Sequence, residues 1–174
     1  MLFRSRVPLI ARWPKKIQAG QNNNNLVCLT DLYTTLQDIT QQKTMDQAGE
    51  DSYSLLPLFQ GKQSNGRSTL ISHSIDGSFA IRKDNWKLCL SAGSGGWSHP
   101  KESEAKQKGL PPMQLFDLSQ DKGERNNLFL KKPGKVKELL DLLKKQVNQG
   151  RCTPGNPVPN DRKIDYLPKG YEPS

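Results

Sequence analysis

The spacing of hydrophobic positions changes several times along the chain, and each change predicts an element. Val7, Leu9, Ile10, Ala11 and Trp13 make a short apolar run punctuated by Pro8 and Pro14, which predicts a strand over about 7–13. A polar connector with an asparagine run follows. At Thr30 the spacing turns helical: Thr30 suits an N-cap, Asp31 suits a first turn, and Leu32, Tyr33, Leu36 and Ile39 fall at i, i+1, i+4 and i+7. This predicts an amphipathic helix over about 30–40. Residues 55–59 form a compact apolar run before Gly61.

From Ser68 the period is two. Ile71, His73 and Ile75 alternate with Leu70, Ser72 and Ser74; Phe79 and Ile81 then share one face, and Trp86, Leu88 and Leu90 another. Lys83-Asp84-Asn85 supplies turn chemistry, so 78–91 predicts a hairpin. The stretch from Ala92 to Gly109 reads as one uninterrupted loop, and loops of that length in compact domains are usually functional or disordered. A strand over 113–118 and an acidic turn at 121–124 come next. Pro133 opens the strongest pattern in the chain, a helix over about 133–149 with Val136, Leu139, Leu140, Leu143 and Val147 on one stripe, an Asp141–Lys145 pair and Gly150 as its terminator. A proline-rich tail over 151–174 reads as an extended strap or as disorder. The fold class is α+β, divided into 1–66, 67–150 and the tail.

Composition narrows the function classes. Only 33% of the 174 residues are hydrophobic and the mean hydropathy is −0.75, which allows a modest core and no membrane span. The first residues are too short and too charged for a signal peptide. The net charge of +9 is concentrated late: residues 131–174 carry ten Lys/Arg against five Asp/Glu. Those lysines flank or sit on an apolar helical stripe, the arrangement of a solvated outer face. No aromatic RNA-binding motif accompanies them, which argues against nucleic acid. Cys28, Cys89 and Cys152 are widely spaced and contain no CxxC pair; their odd number leaves at least one thiol free and their redox state open.

No complete catalytic apparatus can be assembled from these residues. There is no GxSxG elbow, no phosphate-binding GxxxxGK[ST] loop and no HExxH, and His73 and His99 are not spaced as a metal pair.

Several blocks nevertheless look familiar in order: Arg6 to Ile17, Leu29-Thr30-Asp31-Leu32-Tyr33-Thr34-Thr35-Leu36, Gly49 to Pro57, Phe79-Ala80-Ile81-Arg82 with Trp86-Lys87-Leu88, and Gln114-Leu115-Phe116-Asp117-Leu118 running on to Asn126-Asn127-Leu128. From Arg6 to about Asp161 the chain resembles the C-terminal third of the arylsulfatase family, formylglycine-dependent sulfatases of alkaline-phosphatase-like fold. The resemblance implies one strand and helix of the large sulfatase domain, then a small antiparallel sheet packed with a C-terminal helix. It also implies a sulfuric ester hydrolase whose formylglycine and calcium belong to an N-terminal part absent here, so this chain is expected to be inactive alone. Cys152-Thr153-Pro154 is a near miss for the formylglycine motif, without its arginine. Within the family, the loop after the hairpin turns toward the active-site mouth. Gly95, Gly96, Trp97, Ser98 and His99, with His73, are therefore the expected pocket rim, facing a sulfated carbohydrate or aryl sulfate. The resemblance implies a periplasmic or secreted location for the intact enzyme, and an unpaired strand over 7–13 would expose an edge for self-association. Two other readings compete: a non-catalytic carbohydrate-binding or interaction module, and a basic anion-binding protein acting through the lysine-rich helix.

Overall fold

The computed structural model describes residues 8–43, 48–62, 66–168 and 171. The elements run α1 (Asp31–Thr40), α2 (Leu56–Phe59), β1 (Thr69–His73), β2 (Phe79–Lys83), β3 (Trp86–Cys89), α3 (Glu102–Gln107), β4 (Gln114–Asp117) and α4 (Pro133–Gln149). They fall into two compact units, one of residues 71–145 and 162–168, the other of 8–70 and 146–161.

The first unit is built on an antiparallel meander in the order β1-β2-β3-β4. Asp84 takes a left-handed conformation (φ 52°) at the tip of the β2–β3 hairpin, which suits a tight turn that matches strand twist. The register pairs Ala80 with Cys89, Ile81 with Leu88, Arg82 with Lys87 and Lys83 with Trp86, and Leu88 is in turn opposite Leu115. Paired residues share a face, so Ile81, Leu88 and Leu115 lie together on one side. The expectation that Phe79 and Ile81 face away from Trp86 and Leu88 is therefore wrong: alternation holds within each strand, but only the register relates one strand to the next.

α4 covers that face. Val136, Leu139 and Leu143 are buried, Lys83 reaches Glu138 at 2.9 Å, and the Lys135 ammonium sits 5.6 Å from the centre of the Trp86 ring. The expected Asp141–Lys145 pair is replaced by Lys137 and Asp141 at 2.8 Å, one turn earlier. The opposite face of the sheet holds a cluster of Ala80, Cys89, Phe116 and Leu118. Lys87 shares this side and is only 2% exposed; Glu124 accepts from its ammonium through both carboxylate oxygens at 2.9 Å, so the buried charge is paired. Burial of the Cys89 thiol pushes its pKa up to about 12.

The block ending in Asn126-Asn127-Leu128 has a structural explanation. The Asn127 amide reads the free edge of β4, accepting from Leu115 N at 3.0 Å and from Phe129 N at 2.9 Å while donating to Met113 O at 3.1 Å. Asp121 accepts from the backbone N–H groups of Arg125 and Asn126, and these bonds hold its pKa below the ordinary carboxylate value. Asp121 thus holds the turn, and Asn127 with the Leu128 N–H, which donates to Leu115 O at 2.8 Å, covers the edge of β4 at Leu115.

The second unit is organised by a buried ion pair. Arg67 and Asp31 have side chains 2% and 0% exposed and meet at 2.5 Å. Asp31 also accepts from Cys28 N and Tyr53 N, and Arg67 donates to Asp51 O and Thr69 O. This network sets the orientation of α1. Its buried positions are Asp31 and Thr35, whereas Leu32, Tyr33 and Leu36 of the apolar stripe are exposed. Thr35 bonds Asp31 O and Leu55 N, so the polar side of the helix is satisfied. Residues 8–13 carry no strand, and the edge expected there is not formed; Leu9 and Ile10 stand exposed instead. Position 7 lies outside the described residues.

Within the tail, residues 152–160 form a strap. Cys152 N and Thr153 N both donate to Glu50 O, and Val158 N donates to Gln149 O. Gly150 ends α4 at φ 61° as expected, and the strap passes so close that a Cβ there would stand 1.9 Å from Val158 O. Only glycine fits both conditions.

Candidate functional site

The residues expected at a pocket rim lie on the first unit, in the 93–100 loop and the turn after β1. The structure brings these two segments together: a Cβ on Gly96 would stand 3.2 Å from Ile75 Cγ2, and Ile75 lies two residues beyond His73. His73 ends β1, exposed, with its ring tilted against Phe79 at 6.1 Å between centroids and Nδ1 3.3 Å from Ser74 O. Trp97 is 84% exposed at the outer limit of the loop. Ser98 and His99 are exposed beside it, and the His99–Pro100 peptide is cis. Gly95 is buried at φ 65°, in the left-handed region that favours glycine.

Beneath this exposed crest the loop is tied down. The Gln114 amide donates to the carbonyls of Ser91 (2.8 Å), Ala92 (3.3 Å) and Gly93 (2.9 Å). The Glu102 carboxylate accepts from Ser91 Oγ and Gly93 N at 3.0 and 2.9 Å. Ser94 Oγ donates to Ser98 O at 2.5 Å, Ser94 N to Pro100 O at 2.8 Å, and Lys101 Nζ to Gly96 O at 2.8 Å. The closest backbone approach in the loop falls at Gly93, where a Cβ would stand 2.7 Å from Glu102 N. The loop is also not uninterrupted. Glu102–Gln107 is helical because Glu104 folds back to accept from Lys101 N at 3.1 Å, one half of a capping box, and because Ala105 buries completely.

The same Glu104 carboxylate stands 2.9 Å from His99 Nδ1, and that bond, with the one from Lys101 N, lowers its pKa. The imidazole is thus oriented by a carboxylate while its other edge faces solvent. Chemically, the crest offers one aromatic face and one oriented imidazole on a braced backbone. It can stack on a ring and contact an anion, but it holds no activated nucleophile. Sequence reasoning missed the braces Gln114, Glu102, Ser94 and Lys101. Gln114 reaches carbonyls 21 to 23 positions earlier and Glu102 reaches back 9 and 11, while Ser94 and Lys101 bond carbonyls four and five positions away, and none of these ordinary polar residues marks its partner in the sequence; only the Pro100-Lys101-Glu102 step carried a local signal of a helix start.

Comparison with known proteins adds the following. No protein-family model matches the chain. It is 29% identical over 139 residues to an N-acetylgalactosamine-6-O-sulfatase of Bacteroides thetaiotaomicron, covering 80% of this chain and 27% of that protein. It is 30% identical over 175 residues to arylsulfatase K of Gallus gallus, covering 94% of this chain and 29% of the relative. Among solved structures, a Bacteroides thetaiotaomicron protein from work on glycosaminoglycan metabolism superposes with TM-score 0.53 at 26% identity over 66% of this chain and 24% of its own. Another, solved with its substrate D-glucosamine-2-N,6-O-disulfate, gives TM-score 0.56 at 21% identity over 78% of this chain and 26% of its own, a likeness of fold. The chain therefore spans under a third of the length of these relatives.

Proposed function

Because this chain is a sulfatase homologue that corresponds to a C-terminal portion of its relatives, we propose that it supplies one wall of a sulfated-substrate pocket. The observation that carries this reading is Trp97, 84% exposed on a loop whose backbone is fixed from below by Gln114, Glu102, Ser94 and Lys101. An exposed indole on a mobile loop would lose much of its stacking energy to ordering; on a braced loop less is lost. Trp97 and Ser98 would orient a sugar or aryl ring, and His99, held by Glu104, would approach its anionic substituent.

Formylglycine and calcium do not fit the residues described here. No group of three or more His, Cys, Asp or Glu among them stands together as a metal site. Cys152 is held by its backbone N–H against Glu50 O and Asp51 Oδ1, and burial, then Asp51, pushes its thiol pKa up to about 12, far from a reactive thiolate. No reaction step is routed through either group. The nucleophile and cation of a sulfatase would come from polypeptide other than these residues, so the chain by itself is proposed to be inactive.

The test has two parts. The purified chain is incubated with an aryl sulfate and calcium, where turnover above a heat-killed control refutes the inactivity. Trp97→Ala is then made in a protein that includes the catalytic portion. It should raise KM for a sulfated sugar and leave a small aryl sulfate nearly unchanged, whereas equal loss on both substrates refutes the wall. The same exposed indole also favours a stand-alone carbohydrate-binding module. That reading requires the isolated chain to bind a sulfated disaccharide with quenching of Trp97 fluorescence.

A further inference from the structure

The three cysteines, all free thiols, are unequal in their surroundings. Cys89 lies in the sheet without solvent contact, whereas Cys28 and Cys152 are half-buried in the second unit. Wide spacing in the sequence gave no hint that two of them belong together.

Cys28 and Cys152 are held against one charged cluster. Cys28 stands just ahead of α1 and is fixed at both backbone groups by Asp31: its N–H donates to Oδ2 at 2.7 Å, and its carbonyl accepts from the Asp31 N–H at 3.1 Å. Cys152 opens the strap and is fixed likewise, its N–H donating to Asp51 Oδ1 at 2.8 Å and its carbonyl accepting from Tyr53 Oη at 2.8 Å. The two anchorages converge on Arg67. One terminal nitrogen of its guanidinium donates to Asp31 Oδ1 and to Asp51 O, each at 2.5 Å, and the Tyr53 N–H donates to the same Asp31 oxygen at 3.0 Å. The electrostatics agree with this convergence: burial, then Asp51, raises the Cys152 pKa, and the Cys28 thiol adds to the rise, while Arg67 feels both sulfurs. The charged neighbours of Cys89 are Lys87 and Glu124 instead.

We propose that Cys28 and Cys152 form a paired modification site that a small-molecule disulfide, oxidised glutathione, converts to an intramolecular disulfide, with Cys89 left as a thiol. Cys28 attacks first, since burial and Asp51 keep Cys152 protonated. Its thiolate breaks the glutathione disulfide, giving a Cys28–glutathione mixed disulfide and one glutathione thiolate; the Cys152 thiolate then attacks the Cys28 sulfur and releases the second. The two cysteines lose two protons and two electrons, one S–S bond forms as the oxidant's breaks, and the electrons leave in two molecules of glutathione thiol. The bond fastens the start of the strap to the start of α1, and so locks together the stretches 8–70 and 146–161 that make the second unit. A link spanning most of the chain restricts the unfolded state strongly. The proposal stands on the second unit alone and is independent of the pocket-wall reading.

The reduced, unaltered chain is oxidised to completion with oxidised glutathione at pH 8 under native conditions, alkylated with iodoacetamide in denaturant, digested and mapped by mass spectrometry. The expected product is a monomer about 2 Da lighter than the reduced chain before alkylation, with Cys89 alkylated and one cross-linked peptide pair joining Cys28 to Cys152. Three alkylated cysteines, glutathione retained on Cys28 or Cys152, a pair that includes Cys89, or a bond between two chains each overturns the proposal. The oxidised chain should also melt roughly 5 °C or more above the reduced chain, and dithiothreitol should remove the difference. Cys28→Ser and Cys152→Ser should each lose that response, and Cys89→Ala should keep it. A cross-linked chain that melts no higher than the reduced one refutes the locking of the second unit. Because the mapping uses the unaltered chain, a variant that fails to fold does not spare the proposal.

Discussion

Replacing Arg67 with methionine should be among the most damaging single changes in the chain, and the structure lets the cost be worked out. The guanidinium bonds the Asp31 carboxylate through Nε (3.3 Å) and a terminal nitrogen (2.5 Å), donates to Asp51 O at 2.5 Å and to Thr69 O at 3.4 Å, and lies 5.2 Å from the Tyr53 ring centre. Burial draws the Arg67 pKa down, but the Asp31 hydrogen bond and charge more than restore it, so Arg67 is cationic at every working pH. Removing one partner of a buried pair costs about 3–5 kcal/mol, because the other charge is left desolvated. Asp31 keeps two backbone donors, Cys28 N at 2.7 Å and Tyr53 N at 3.0 Å, which places Arg67→Met toward the lower end, about 3 kcal/mol. With a urea slope of about 1–3 kcal/mol per M, the midpoint should fall by roughly 1–3 M. Arg67→Met/Asp31→Asn should cost less than the two single changes added, since no charge is then stranded. Amide hydrogen exchange across 31–40 reads the damage where it occurs. A midpoint shift below about 0.3 M, or a double variant as costly as the sum, would refute the account of the second unit as built on this pair.

The other predictions concern the loop, the pH response and the thiols. Gln114→Leu leaves three backbone carbonyls at 91–93 without their donor and should loosen the crest, raising exchange at 93–100 with the sheet amides unchanged; unaltered exchange sinks the brace. Glu138, held by hydrogen bonds from Lys135 and then Lys83 at a pKa of about 2 against an ordinary 4.5, stabilises the chain at pH above 4.5 and loses that contribution as pH falls toward 2. Glu138→Gln should flatten this part of the acid-unfolding curve, and an unchanged curve counts against the pairing. Cys89, raised to about 12, should resist maleimide at pH 8 until the chain is unfolded; labelling of the native chain at the rate of a free thiol would contradict its burial.

Both long helices and the hairpin were legible because their signals are local. Pro133, the 136–139–143 spacing and Gly150 bound α4 to the residue, and Asp84-Asn85 marks the hairpin tip. What was not legible depended on partners distant in sequence. The spacing in α1 identifies which residues share a face and says nothing about where that face points; Arg67, 36 positions from Asp31, decides it. The expected strand at 7–13 shows the same limit, since a strand exists only with a neighbour to bond, and among the described residues 8–13 pairs with no strand. At the candidate site the glycine run ahead of Trp97 marks a loop with an exposed indole, while the braces beneath leave no mark in the sequence. A glutamine opening a strand gives no sign in sequence that it will hold three carbonyls of a loop more than twenty positions earlier.

The strap that returns to Glu50 also sets a timetable. The second unit is made from two stretches of chain, 8–70 and 146–161, and Tyr53 Oη donates to Cys152 O across 99 positions. On a ribosome the early stretch emerges long before its complement and waits, at about 5–20 residues per second, for several seconds while everything between is synthesised. The meander and the body of α4 are local and need not wait. The middle of this chain is thus equipped to fold before its beginning, and the beginning is the stretch that a nascent-chain chaperone or protease would meet open.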